Sequence, residues 1–280
     1  MGLSMSLFKA AVLGLVSATS VGCSNMNSGL TEPLEVYSAK EIYDQGGVEL
    51  SNANAEDAAH FFGEIERLYP YSKWAKRGLI MQAFSFHKAK DYNSSRSAAQ
   101  RYIDFFPADV DAGYAQYLLA LSYYDQIDDV GRDQGLTIKA LQALRVVIER
   151  YPSSKYVKPA QTKFDLAFDH LSAKEMEIGR YYLQKGHYTA AINRFKTVVE
   201  DFRTTRQVPE ALHRLVESYL SLGLTSEAQS AVSILKQEYK NTEWYKQSTA
   251  LLGNEVLAKD PLGGNWLSQI YRQTIKGEWL

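Results

Sequence analysis

Hydrophobic residues recur at fixed distances before five aromatic residues, which are Tyr69, Phe106, Tyr151, Phe202 and Tyr239. The positions 4 and 7 residues before each aromatic are apolar in every copy, and the position 11 residues before it is small. The small residues are Ala58, Ser95, Ala140, Ala191 and Ala228. Such offsets lie along one face of an α-helix. The pattern therefore predicts five amphipathic helices that each present this face to a partner helix.

Proline follows the aromatic residue in the first three copies, at Pro70, Pro107 and Pro152. Proline stops a helix because it cannot donate the next backbone hydrogen bond. A small residue, an apolar residue four positions later and a closing proline are typical of the second helix of the tetratricopeptide repeat, which is about 34 residues long. We therefore predict an all-α fold, a superhelical tetratricopeptide-repeat (α-solenoid) array of about five helix pairs.

The repeats are unevenly spaced, since successive aromatics are separated by 37, 45, 51 and 37 residues. Residues 126–135 are polar and contain two glycines, which predicts an inserted loop within the third repeat. Residues 156–183 contain no glycine before Gly179. They predict either one long helix or two stacked helices between the third and fourth repeats.

Four segments are expected along the chain: a signal peptide at 1–22, a tether at 23–35, five repeats at 36–241, and a C-terminal capping helix and tail at 242–280. A helix over 244–258 could cover the last apolar face, as repeat arrays require. The tail beyond it either packs on the array or docks on a partner.

The N-terminus has the pattern of a secretory signal. Lys9 precedes the apolar run 10–16, and small residues lead to Gly22 and Cys23. Cys23 is the only cysteine of the chain, and its place is that of the acylated cysteine in bacterial lipoproteins. We therefore predict lipid attachment at Cys23. Ser20 departs from the usual leucine of this motif, so an ordinary cleaved signal with an incidental cysteine is the alternative.

Composition argues against several classes of function. The formal net charge of −1 does not fit a nucleic-acid-binding protein, which is normally strongly basic. None of the five histidines has another histidine or a cysteine three or four residues later, so no metal site is predicted. No nucleotide-binding or serine-hydrolase motif occurs. We therefore expect neither a cofactor nor enzymatic activity.

Aromatic side chains crowd the first two repeats, and Tyr69, Tyr71 and Trp74 lie close together in the sequence. Stacked helix pairs form a concave groove lined by their first helices. Most of these aromatic residues could belong to the core. As a group they still give the best candidate for a peptide-binding pocket.

The chain resembles the BamD family, the tetratricopeptide lipoproteins of the outer-membrane β-barrel assembly (BAM) complex. The resemblance is carried by residues 41–43, 67–72, 149–156, 173–175 and 181–194, and it includes the atypical repeat spacings. The fourth repeat departs from the pattern because Arg203, not proline, follows Phe202. The last 40 residues also look longer than in the enterobacterial form.

The resemblance implies a non-enzymatic part in inserting β-barrels into the outer membrane, from a lipid-anchored position on its periplasmic face. In that family the C-terminal repeats bind a POTRA domain of BamA, which maps here to Asn193, Arg194 and Arg214. The N-terminal repeats are thought to receive the C-terminal β-signal of unfolded outer-membrane proteins. That site maps to the region of Tyr69, Tyr71 and Trp74. Other BAM lipoproteins are also implied as partners.

Two other interpretations stay open at this point. One is a periplasmic repeat adaptor for cell-envelope or division machinery, although such proteins usually lack an early lipid-bearing cysteine. The other is an enzyme with a repeat domain. About 40 residues remain after the repeats, which is too few to build a catalytic domain.

Overall fold

A computed structural model describes residues 32–253 of the chain. Within that range every regular element is helical, which confirms the predicted fold class. The first helices of the five pairs are α1 (Ala39–Ser51), α3 (Lys73–Lys88), α5 (Ala112–Tyr124), α7 (Val157–Gln184) and α9 (Val208–Ser221). The second helices are α2 (Ala55–Leu68), α4 (Tyr92–Phe105), α6 (Gly135–Arg150), α8 (Tyr188–Asp201) and α10 (Thr225–Glu238).

Two further elements flank the five pairs. A short 3-10 helix, Leu34–Val36, precedes them, and α11 (Glu243–Leu252) follows them. α11 packs against α9 and α10. The predicted signal peptide, Cys23, most of the tether and the tail beyond residue 253 lie outside the described residues, and the limits of the four predicted segments stay predictions.

The helices stack in chain order. Each helix packs against the next one, and each first helix also contacts the first helix of the following pair. The first helices therefore lie side by side and line the inner face of the array, as in other helical-repeat proteins. None of the helices within residues 32–253 is long and apolar enough to cross a membrane.

The small position of the repeat pattern lies in the buried contact between helices. Its five side chains are all 0% exposed. The five aromatics that follow are the C-cap residues of the second helices, and each donates its backbone N–H to the carbonyl four residues earlier. Phe202 and Tyr239 end their helices at the same point without a following proline, so the cap does not depend on proline.

A single helix of 28 residues, α7, accounts for the long spacing between the third and fourth repeats. The first half of α7 packs with α6, and its second half packs with α8. Pro159 lies in its first turn, where the missing N–H costs nothing. The inserted loop before α6 is fastened to this helix, because Lys174 Nζ donates to the carbonyl of Gly131 at 2.8 Å.

The α4–α5 turn is held by a carboxylate that joins two pairs. Asp109 accepts a hydrogen bond from Tyr102 Oη at 2.7 Å and forms an ion pair with Lys76 of α3. Its Oδ1 also accepts the backbone N–H of Asp111 at 3.0 Å. Burial raises the pKa of Asp109, but these hydrogen bonds outweigh burial and lower it to about 2.

We expect Gly179→Ala to lower the free energy of unfolding by about 1–3 kcal/mol, because overpacking a dense core costs that much. A Cβ at Gly179 would lie 2.4 Å from the ring of Phe195, which is fully buried, so the ring or the helix would have to shift. Urea unfolding measures the difference. Gly47→Ala is the control, since nothing lies within 4 Å of its Cβ position and alanine favours the helix. Equal stability of the two variants would contradict this packing.

Asp109→Asn should destabilise the protein by about 1 kcal/mol at neutral pH, after allowance for solvent screening. The folded-state pKa is depressed, so the stabilisation is fully present above the ordinary carboxyl pKa and is lost as the pH falls towards 2. Urea unfolding at pH 7, 4 and 2.5 should therefore show the variant and the natural protein converging at acid pH. Asp104→Asn, on the exposed surface of α4, serves as the control. A difference that persists undiminished at pH 2.5 would exclude this origin.

Candidate binding surfaces

Two groups of side chains stand out along the array. We call the first the N-terminal surface, formed by Tyr43, Tyr71, Lys73, Trp74 and Arg77. We call the second the C-terminal surface, which comprises the charged side chains and one tryptophan of α7 to α11. Its members are Glu175, Arg180, Arg194, Glu210, Arg214, Glu217 and Trp244.

Trp74 is the centre of the N-terminal surface. It lies in the first turn of α3 and packs against Tyr43 of α1, with ring centroids 5.0 Å apart. Tyr43 in turn contacts the buried ring of Phe62 at 5.3 Å. The half-buried Trp74 is therefore anchored to the core on one side. Lys73 and Arg77 lie over its ring, at 5.5 and 5.4 Å from the centroid.

Tyr71 and Tyr69 have different surroundings. Tyr71 lies in the turn between α2 and α3, and its side chain is fully exposed at 101%. Tyr69 is half-buried, and its hydroxyl donates to the backbone carbonyl of Tyr37 at 2.6 Å. It thereby fastens the segment that precedes α1 to the end of α2. Of the three aromatics predicted from sequence, Tyr71 and Trp74 are open to a ligand, whereas Tyr69 has a structural contact.

A second contact holds the segment before α1 against α2. Arg67 Nη2 lies 3.1 Å from Glu35 Oε1, and Leu34 and Tyr37 pack on the buried cluster of the first pair. The hydrogen bonds of Glu35, first to a backbone N–H and then to Arg67, lower the pKa of its carboxyl. Residues 34–37 are thus part of the folded array.

Arg194 and Asn193 lie on α8, at the outer side of the C-terminal surface. Arg194 Nη1 donates to Glu175 Oε2 of α7 at 3.0 Å, and 42% of the arginine side chain is exposed. Asn193 is exposed, and its backbone carbonyl accepts a bond from Thr197 within the same helix. Both side chains are therefore accessible from solvent.

Arg214 belongs to a separate network on α9. Its Nη1 donates to Glu217 Oε2 at 2.8 Å, and its Nε lies 3.4 Å from Glu210 Oε1. Arg180 of α7 binds the same Glu210 oxygen at 3.1 Å, and the Arg214 guanidinium lies over the ring of Trp244 at 5.5 Å. Burial lowers the pKa of Arg214, but the hydrogen bonds and charges of Glu217 and Glu210 outweigh burial and raise it.

α11 is joined to this network through a buried histidine. His213 is only 3% exposed, and its Nδ1 lies 2.8 Å from the hydroxyl of Ser248. Its other ring nitrogen lies 3.6 Å from Glu217 Oε1. Burial raises the pKa of Glu217, but hydrogen bonds with His213 and Arg214 outweigh burial and lower it. The predicted partner residues Arg194 and Arg214 therefore belong to two clusters, one on α7–α8 and one on α7–α9–α11.

Several of these residues were missed from the sequence. Arg180 and Glu210 are 30 positions apart, and Tyr43 and Trp74 come from different repeats. The helical period places each residue on a face, but it gives no signal of which side chains meet across helices. Within residues 32–253, no group of three or more acidic, histidine or cysteine side chains is placed to hold a metal ion.

An all-helical repeat array with two polar and aromatic surfaces is the architecture of a protein-binding scaffold. The family model described as "YfiO: Outer membrane lipoprotein" matches residues 36–235. The chain belongs to this family of outer membrane lipoproteins.

Similarity to individual proteins agrees with the family match. The chain is 40% identical over 250 residues to the outer membrane protein assembly factor BamD of Caulobacter vibrioides, covering 89% of this chain and 82% of that protein. It is 37% identical over 256 residues to BamD of Rickettsia prowazekii, covering 91% and 99%. The predicted resemblance to the BamD family is confirmed.

A solved structure of a thermophilic tetratricopeptide-repeat protein from Thermus thermophilus is also similar. The TM-score is 0.36 and the identity 18%, over 77% of this chain and 99% of that one. The fold assignment given above rests on the helix pairs of this chain.

Proposed function

We propose that this protein is a non-enzymatic scaffold lipoprotein of the BAM complex, anchored through Cys23 at the periplasmic face of the outer membrane. It assists the insertion of β-barrel proteins by binding BamA at the C-terminal surface and unfolded barrel substrates at the N-terminal surface. The observation that carries the proposal is the 40% identity to an outer membrane protein assembly factor along 89% of the chain. Membership of an outer membrane lipoprotein family supports the anchor.

The N-terminal surface suits an extended apolar peptide. Trp74 and Tyr43 form an aromatic shelf on the first helices, and Tyr71 adds an exposed ring in the turn three residues before Trp74. Extended peptides commonly bind by placing alternate side chains in apolar pockets. Tyr and Trp provide large contact areas with few rotatable bonds, which lowers the entropic cost of binding.

The C-terminal surface suits a folded polar partner. Arg180 and Arg194 are held by carboxylates of neighbouring helices, and Arg214 is held by carboxylates of its own helix, so their positions are fixed before a partner arrives. Preorganised charges contribute to specificity and to the rate of association. Arg194 is the best test residue there, because its substitution leaves the Arg214 network and α11 in place.

We expect a photo-crosslinker at Tyr71 to capture the C-terminal segment of an unfolded outer-membrane protein. Tyr71 is preferred to Tyr69, since replacing Tyr69 would remove the bond to Tyr37. Phe105 is the control site, because it is an exposed aromatic at the end of the second helix of the next pair. Mass spectrometry of the adduct identifies the captured segment. Capture that is equal at both sites, or absent at Tyr71, would refute the substrate site.

Arg194→Glu should lower co-purification of BamA by about tenfold or more, because it places two carboxylates together and reverses the charge offered to the partner. Adding Glu175→Arg restores the ion pair within the protein but not the surface charge pattern. The double variant should therefore regain stability without regaining BamA. Arg132→Glu, an exposed arginine of the inserted loop, is the control. Undiminished co-purification with Arg194→Glu would rule out this interface.

A further inference from the structure

The most exposed large hydrophobic side chains of residues 32–253 all lie at one edge of the array. They are Tyr71 at 101%, Val110 at 87%, Val36 at 70% and Phe105 at 62%. Neighbouring helices joined by short turns run antiparallel, so the turns from one pair to the next lie where second helices end and first helices begin. Val36 precedes α1, and Tyr71 lies between α2 and α3. Phe105 and Val110 lie at the turn between α4 and α5.

We call this side of the first three pairs the inter-pair edge. It comprises residues 32–37, 69–73, 105–111 and 150–158. Exposed hydrophobic side chains that are scattered singly need no explanation, whereas a group of them on one side marks an interaction site.

Basic side chains accompany these hydrophobic tips. Arg150, Lys155 and Lys158 are exposed at the α6–α7 turn, and none of them makes an ion pair within the described part of the chain. Of the carboxylates in the α4–α5 and α6–α7 turns, Asp111 alone is exposed. The inter-pair edge therefore combines apolar tips with uncompensated positive charge.

The opposite edge of the same pairs carries an excess of acid. The turns within pairs lie there, and the longest of them is the inserted loop 126–135. Its aspartates, Asp128, Asp129 and Asp133, outnumber its single basic residue, Arg132. An anionic surface would attract the inter-pair edge and repel this one.

The chain also enters the array at the inter-pair edge. The backbone N–H of Glu32 donates to Tyr37 Oη at 3.1 Å, and the carbonyl of Tyr37 accepts the bond from Tyr69 at the end of α2. Nine residues, 23–31, lead from the predicted lipid on Cys23 to Glu32. Nine residues span at most about 30 Å when fully extended. The anchor therefore keeps this edge close to the bilayer, in whatever direction the rest of the array points.

We propose that the inter-pair edge lies on the periplasmic surface of the outer membrane and binds anionic phospholipid. The inference rests on the proposed lipid anchor and specifies which side of the protein the anchor turns towards the bilayer. Val36, Tyr71 and Val110 enter the headgroup layer, where burial stabilises apolar and aromatic side chains. The basic side chains of the α6–α7 turn bind lipid phosphates, as juxtamembrane lysines and arginines do.

This contact fixes an orientation that an anchor alone leaves free. The inter-pair edge is made of helix ends, so the helices extend from the bilayer into the periplasm. Tyr71 belongs both to this edge and to the N-terminal surface. A substrate bound at that surface is consequently held beside the membrane into which the barrel is inserted.

The test measures lipid contact at single labelled positions of the mature lipoprotein, reconstituted through its acyl chains into vesicles of phosphatidylcholine and phosphatidylglycerol. Val110→Cys carries the fluorophore NBD, and it is the one site that labels because the thiol of Cys23, the only natural cysteine, bears lipid. Ile138→Cys is the matched control, since Ile138 is an exposed aliphatic residue in the first turn of α6, at the opposite edge. We expect brominated lipids to quench the label at residue 110 several-fold more strongly than the label at residue 138.

Charge substitutions test the part played by anionic lipid. Lys155→Gln with Lys158→Gln should lower quenching at residue 110 several-fold, because two charges are lost from the bound edge. Lys88→Gln with Lys90→Gln removes the same charge at the α3–α4 turn of the opposite edge and should leave quenching unchanged. In vesicles of phosphatidylcholine alone, all variants should show the lower level.

The outcomes separate this inference from the anchor on which it rests. If the lipoprotein does not stay with the vesicles, the proposed anchor is wrong. If it stays and the labels at residues 110 and 138 are quenched equally or not at all, the anchor stands and the inference is wrong. Quenching at residue 110 that ignores both phosphatidylglycerol and the lysine substitutions would overturn the assignment to anionic lipid. Loss of that quenching when BamA is added would assign the edge to a protein partner and also overturn the inference.

Discussion

The close approach of paired helices is the constraint on which the rest of this structure depends. Alanine, serine or glycine occupies the contact point in each pair, and large side chains such as Phe62 and Phe195 fill the space beside it. Burying those rings contributes on the order of 2–3 kcal/mol each. Because the spacing between helices is set at these points, the first helices are brought side by side. Only then do residues as distant as Tyr43 and Trp74 form one surface.

The parts of the fold that depend on local periodicity could be predicted from the sequence. The small positions are fully buried as expected. The five aromatic residues that end the pattern are C-caps of the second helices even where no proline follows. The choice between one long helix and two stacked ones could not be made, because the helical period is the same in both. Family membership was evident because irregular spacings, unlike the repeat itself, are specific to a lineage.

The candidate surfaces were predicted less completely, since they depend on contacts between helices. Trp74 and Arg214 were identified, but their partners Tyr43 and Glu210 were not. Tyr69 was predicted to belong to the peptide site, but its hydroxyl donates a hydrogen bond to the backbone of Tyr37. The contacts of Trp74 with Tyr43 and of Tyr69 with Tyr37 join positions more than 30 residues apart, for which the spacing of residues gives no signal. Glu210 is different, because it lies four positions before Arg214 on the same helix and could have been paired with it from the sequence.

The uninterrupted helix α7 gives the array an unusual mechanical property. With 28 residues it extends about 42 Å, and it serves as the first helix of the fourth pair while also supporting the third. Bending there would break backbone hydrogen bonds, which helices rarely allow without a proline or an inserted group. The third and fourth pairs are therefore joined by continuous helix where the other pairs are joined by turns. A change of angle at this junction would require backbone hydrogen bonds of α7 to break, so it is the junction that most resists bending.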